Sequence, residues 1–106
     1  MIQIRQGDVF VQQIAALPDG LTPKARDGGR VVLAYGEVTG HAHAIDSALA
    51  ELFEDRDGTL YLRVQAGAGA AQLVHEEHAT IDLAPGCYRV THQREYTPEA
   101  IRRVAD

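Results

Sequence analysis

The sequence predicts an all-β fold, a small antiparallel β-barrel or sandwich with a short C-terminal helix. Short segments rich in Val, Ile, Tyr and Phe recur along the chain, turn signals separate them, and helical spacing dominates only at the C-terminal end. The 106 residues suit a single domain spanning 1–106, and the apolar share of 45% with 24% charged residues is that of a globular chain. Folding a chain of this size buries about two-thirds of its extended surface, so no covalent staple is required.

Gly7-Asp8 opens "VFVQQI", in which Val9, Val11 and Gln13 alternate with Phe10, Gln12 and Ile14, the pattern of a strand. "LPDGLTPKARDGG", with its prolines and glycines, reads as a long loop over about 17–29. "RVVLAY" (30–35) reads as a strand buried on both faces and stopped by Gly36. "DSALAELFED" (46–55) fits a short helix capped by Asp46 or Ser47. It fits a hairpin better, because Asp57-Gly58 is a strong turn signal between Leu52-Phe53 and Leu60-Tyr61-Leu62. The expected strands lie near 50–55 and 59–65. "AQLV", "ATIDL" and "CYRVTHQREY" supply three more, with Pro85-Gly86 as a tight connection. In "TPEAIRRVAD", Thr97 suits an N-cap, Pro98 the first helical position and Glu99 the positive end of the helix dipole, which places a helix at about 98–105.

Charge and composition narrow the function classes. A net charge of −5 argues against sequence-independent nucleic-acid binding, which needs Lys and Arg to neutralise phosphates. Arg89, Arg94, Arg102 and Arg103 gather near the C-terminus and read best as a solvated basic end. No apolar run approaches a membrane span and no leader-like stretch is present, so the expected location is cytoplasmic. The single Cys87 excludes an internal disulfide and a Cys-rich zinc site, and it is expected to pack as a small buried residue. "AGAGA" lacks the strand-to-helix context and the Lys of a phosphate-binding loop.

The chemistry concentrates in the histidines. Four of the five form two tight pairs, His41 with His43 and His75 with His78; His92 is the fifth. Neutral imidazole is a common ligand for zinc and suits iron, copper and nickel. In a strand, His41 and His43 project from one face and can reach one ion, while Ala42 and Ala44 take the other face. "HEEH" depends on its turn. A straight strand over 72–83 puts His75 and Glu77 on one face and His78 on the other, whereas a two-residue loop at Glu76-Glu77 puts His75 and His78 opposite each other on neighbouring strands. Glu-Glu is a poor pair for such a loop, and a bulge is a third option. The expected ligands are therefore His41, His43 and His75, completed by Glu77 or His78. Glu76 or Glu77 would act as a base in metal-assisted hydrolysis. The spacing differs from the helical H-E-x-x-H of zinc proteases. The plainer account is a set of exposed or loop histidines. Arg94 in "QREY" could grip a carboxylate or phosphate, or simply pair with an acidic residue.

"GEVTGHAHAI", "HEEHATIDLAPGCYRV" and "QREYTPEAIRRVAD" together resemble a group of small, uncharacterised bacterial and phage-encoded proteins. The resemblance implies that the histidine pairs and QREY belong to one site or one fold, and names no activity. A weaker resemblance is to cupins, β-barrels that hold a metal through an H-x-H pair, a glutamate and a later histidine. It implies His41, His43 and His92 as ligands, but the glutamate spacing falls on Ser47 or Ala48 and the nearest glutamate is Glu51. Two function classes follow. One is a metal-binding β-protein, zinc first among the ions. The other is a metal-free module that binds a protein or small molecule, including a phage accessory or structural component working as a homo-oligomer.

Overall fold

The computed structural model describes residues 2–36, 40–67 and 69–92, and it is all-β over them. Ten strands run in chain order: β1 (Gln3–Gln6), β2 (Val9–Ile14), β3 (Thr22–Pro23), β4 (Val31–Tyr35), β5 (Ala42–Ile45), β6 (Ala50–Glu54), β7 (Leu60–Val64), β8 (Ala71–His75), β9 (His78–Leu83) and β10 (Gly86–His92). They form two antiparallel sheets, one of six strands in the order β1-β2-β10-β7-β6-β3 and one of four in the order β4-β5-β8-β9. This is the expected sandwich; the sheets do not close into a barrel. The helix expected at 98–105, and Arg94 with the rest of QREY, lie outside the described residues.

Alternation decides which side chains fill the space between the sheets. Val9 and Val11 of β2 are fully buried, whereas Phe10 between them is half-buried and Gln12 after them is exposed, as the two-residue period of the strand requires. Leu62, Val64, Tyr88 and Val90 extend the same floor, and Val31, Leu33, Ile45, Leu73 and Leu83 face them from the smaller sheet. Each such side chain contributes roughly 1.5–3 kcal/mol of burial. Tyr88 carries its hydroxyl into this core and donates it to the carbonyl of Ala84.

Several expectations need adjusting. The 17–29 segment is not a bare loop: Thr22-Pro23 pairs with Phe53-Glu54, and Asp27 bridges to Arg30. Arg26 holds it down by donating to the carbonyls of Gly29, Ser47 and Ala50 at 3.0, 2.6 and 2.8 Å. The hairpin around Asp57-Gly58 is present as β6 and β7, with Asp55 Oδ1 accepting from the amides of Asp57 and Thr59 and Gly58 at φ +86°. Strand β4 is not buried on both faces but alternates, with Tyr35 exposed. Cys87 is half-buried rather than enclosed, and it sits at the opposite end of β10 from His92, so the two cannot form a nucleophile and base pair.

Candidate functional site

Three turns build the site. The first is the β8–β9 hairpin. His75 pairs directly with His78, so Glu76-Glu77 is a two-residue loop and the strand does not run straight through "HEEH". Neither glutamate has positive φ, so the turn is not one of the primed types that match strand twist. The mismatch is taken up next door. Leu73 pairs with Ile81 and His75 with His78, leaving Ala79-Thr80 opposite Val74 as a bulge.

Register then carries the hairpin onto β5. Ala44 pairs with Val74 and Ile45 with Leu73. Continuing that ladder brings His43 opposite His75, Ala42 opposite Glu76 and His41 opposite Glu77. The contacts agree: the His43 and His75 rings lie 4.3 Å apart, the Ala42 amide donates to Glu76 Oε1 at 2.9 Å, and His41 Nδ1 is 3.8 Å from Glu77 Oε1. The His75 and His78 centroids are 4.7 Å apart and those of His41 and His75 5.7 Å. His43, His75 and His78 therefore form a row across three neighbouring strands, with His41 flanking it.

The third turn comes from the other sheet. Gln6 pairs with Val9, so Gly7-Asp8 is the loop of the β1–β2 hairpin, with Gly7 at φ +60° and Asp8 at ordinary φ. This is the glycine-first type II′ pattern. Gly7 lies flat against the histidine row: a Cβ there would stand 2.8 Å from His78 Nε2 and 3.3 Å from His43 Cε1. Gln6, only 2% exposed, reaches across the seam between the sheets. Its Nε2 donates to the carbonyls of Leu73 and Ala79 at 3.0 and 2.9 Å, and the second of these belongs to the bulge.

This arrangement sets the proton on His43. Because the Gln6 amide nitrogen is engaged with two carbonyls, the oxygen is the atom that faces His43 Nδ1 at 2.8 Å. A carbonyl oxygen only accepts, so His43 carries its proton on Nδ1 and its Nε2 lone pair is free to accept or ligate. Nε2 stands 3.7 Å from Asp8 Oδ1. Burial, and then the neighbouring His75, lowers the His43 pKa to about 4, so the ring is neutral near pH 7. His75 is set the other way, since its Nδ1 accepts the Glu77 amide at 3.0 Å. The Glu76 carboxyl is held below its ordinary pKa, chiefly by the Ala42 amide.

Among the described residues, His41, His75 and Glu76 offer ligand atoms that all lie within 4.8 Å of one another. The sequence-predicted His43 and His78 flank this group in the same row. Glu77 is near His41 and largely exposed. His92 is not one of these three; it donates Nε2–H to the Leu33 carbonyl at 3.1 Å, where β4 carries an extra residue opposite β5, and it is near enough to His43 to help disfavour that ring's protonation. Sequence reasoning missed Gln6, Gly7 and Asp8. Their only sequence signal was the Gly-Asp turn, which pins a hairpin but says nothing of the sheet it will face. Asp8 also lines a cavity of about 370 Å³ with Lys24, Leu33, Leu60 and His92.

Comparison with known families covers this whole arrangement. The family described as a domain of unknown function (DUF8820) matches residues 5–93, which include every strand from the end of β1 to β10. The chain belongs to this DUF8820 family. No curated protein matches it, and no solved structure does. Both halves of the histidine site, the β1–β2 turn and the HEEH hairpin, fall within the DUF8820 match. Among the described residues no helix is long and apolar enough to cross a membrane.

Proposed function

We propose that this DUF8820 protein binds a divalent metal ion, zinc first among the candidates, through His41, His75 and Glu76. The observation that carries the proposal is the convergence of these three donors within 4.8 Å at the tip of a hairpin. Two imidazoles and a carboxylate with an open position form the donor set of hydrolytic zinc centres, and zinc, iron and nickel all accept imidazole. The donors are partly prepared. Glu76 is oriented by the Ala42 amide, and His75 offers the Nδ1 lone pair that now accepts from Glu77. Releasing that hydrogen bond costs about 1 kcal/mol, little beside the affinity of a metal centre.

With Glu76 taken as a ligand, Glu77 is the carboxylate left to move a proton. It is exposed and 3.8 Å from His41, beside the mouth of the site. A bound zinc ion would supply Lewis acidity there. Elemental analysis of protein purified without a His tag tests the proposal. At least one ion per chain is expected, lost in His41→Ala and in Glu76→Gln. Zinc at a thousandfold excess over its dissociation constant should add about 4 kcal/mol of stability. Sub-stoichiometric metal, with no thermal shift on adding zinc, nickel or iron, would overturn the proposal and favour the metal-free interaction module.

A further inference from the structure

We infer that the outward face of the six-stranded sheet is a platform for single-stranded nucleic acid, on which Phe10, Tyr61 and Phe53 stack bases and Arg5, Arg63 and Arg89 meet the backbone phosphates. The inference does not depend on the metal-binding proposal above. Strand alternation sets the face. Because Val11, Leu52, Leu62 and Val90 point into the core, Phe10, Phe53, Tyr61 and Arg89 beside them along their strands point out. Phe10 and Phe53 are the chain's two phenylalanines, and both stand half-buried on this face. Phenylalanine is among the residues most often enclosed, and large apolar groups gathered on an outer face mark an interaction surface.

Register aligns these groups. Phe53 pairs with Tyr61 and Tyr61 with Arg89, so two rings and a guanidinium follow one another on three neighbouring strands about 4.8 Å apart. Arg89 in turn pairs with Gln12 and Thr91 with Phe10, which places Phe10 one strand beyond Arg89 and two residues along. Two further guanidinium groups lie over rings, Arg5 Cζ at 5.2 Å from the Phe10 centroid and Arg63 Cζ at 5.6 Å from that of Phe53. Stacking of bases on rings and on guanidinium planes is how open sheets hold unpaired strands. Among the described residues, the one outward carboxylate on the strands of this sheet is Glu51, which Arg63 and Gln65 hold at 2.7 and 2.8 Å. Three guanidinium groups against one carboxylate leave the face positive. The chain's net charge of −5 argues against a wide electrostatic footprint, but binding through stacking needs few phosphate contacts. A protein partner fits less well. Protein interfaces are depleted of charge at their centre, and here Arg89 stands between Tyr61 and Phe10.

Fluorescence anisotropy of labelled oligo-U and oligo-dT titrated with the full chain, chelator being present to remove any metal bridge, decides the matter. Saturable binding is expected for the single strands and weaker binding for a duplex, whose bases already stack on one another. With at most three phosphate contacts, the slope of log K against log salt should be about −2 or shallower. Tyr61→Phe should bind like wild type, and Tyr61→Leu about 10-fold or more weaker. Arg89 is exposed, so Arg89→Gln should fold, bind more weakly and flatten the salt slope by about 0.7. No binding by about 100 µM protein, the weak end of non-specific association, would overturn the inference. Equal affinity for duplex, or affinities that Tyr61→Leu and Arg89→Gln leave unchanged, would do the same. Polyglutamate displacing the oligonucleotide as well as unlabelled oligo-U does would assign the face to acidic peptides and also overturn it.

Discussion

Replacing Gln6 with Met tests how the two sheets and the histidine row are joined. Met matches Gln in length and keeps the apolar stem, but it has neither the amide donors nor the oxygen. Three contacts go: Nε2–H to the Leu73 carbonyl at 3.0 Å, Nε2–H to the Ala79 carbonyl at 2.9 Å, and the His43 Nδ1–H to Oε1 at 2.8 Å. The Ala79 carbonyl belongs to an exposed residue and regains water at little cost. The Leu73 carbonyl is enclosed, and an unsatisfied buried group of this kind costs about 1–3 kcal/mol. His43 has an escape, because its proton can move to Nε2 and face Asp8 instead. The net loss is therefore about 1–3 kcal/mol, set by the Leu73 carbonyl. Urea unfolding of wild type and variant at pH 7 measures it as a shift in midpoint at constant m. The ¹⁵N shifts of His43 should report Nδ1–H in wild type and Nε2–H in the variant. A loss below about 0.5 kcal/mol, or wild-type His43 already protonated at Nε2, would refute the tautomer argument.

Gly7→Ala should destabilise by about 1–3 kcal/mol, since it forces a side chain to φ +60° and puts a methyl 2.8 Å from His78 Nε2; in the His78→Ala background the clash with His78 should vanish, leaving the backbone share and the milder 3.3 Å approach to His43. Acid should weaken the fold through His43. Its folded pKa of about 4 lies below the ordinary 6.5, so its contribution is complete above pH 6.5 and is lost as the pH falls towards 4. The shift converts to about 3 kcal/mol at most, and the partly open rim at Asp8 and His78 reduces this to about 1–2 kcal/mol. Titration of the His43 ring resonances checks the assignment, and a midpoint at or above 6.5 would contradict it. Asp55→Ala should cost about 1–2 kcal/mol by freeing the amides of Asp57 and Thr59, and should leave metal stoichiometry unchanged because Asp55 supplies no ligand and orients none.

The fold was legible where one signal determined it. Val9 and Val11 against Gln12, and Asp57-Gly58 between two apolar runs, gave β2 and the β6–β7 hairpin close to their observed limits. Strand β1 was not anticipated, because "QIRQ" is polar at three of four positions and is drawn into the sheet by pairing with β2. The short β3 escaped for a related reason. A Thr-Pro pair has no strand pattern of its own, and the Arg26 contacts and the β6 edge hold it in place.

The site shows the same division more sharply. That His41 and His43 share a face follows from strand period alone, and Glu76-Glu77 as a loop was one of three options that spacing left open. Turn chemistry argued against it, since a two-residue hairpin loop prefers positive φ and Glu resists it. The structure meets that objection with the Ala79-Thr80 bulge, and the bulge is held by Gln6, a residue 73 positions from Ala79. No local pattern at "HEEH" could reveal that support. The dependence also runs the other way: the side chain that stabilises the strained turn is the one that sets the His43 proton. If the turn straightened, His78 would leave the row and Gln6 would lose the Ala79 carbonyl together, so fold and site fail as a unit. That coupling predicts that a metal bound at the row should protect the amides of β8 and β9 from hydrogen exchange more than those of β6 and β7. Equal protection of both hairpins would mean the ion stabilises the protein only globally, and the row would then have no special hold on its own turn.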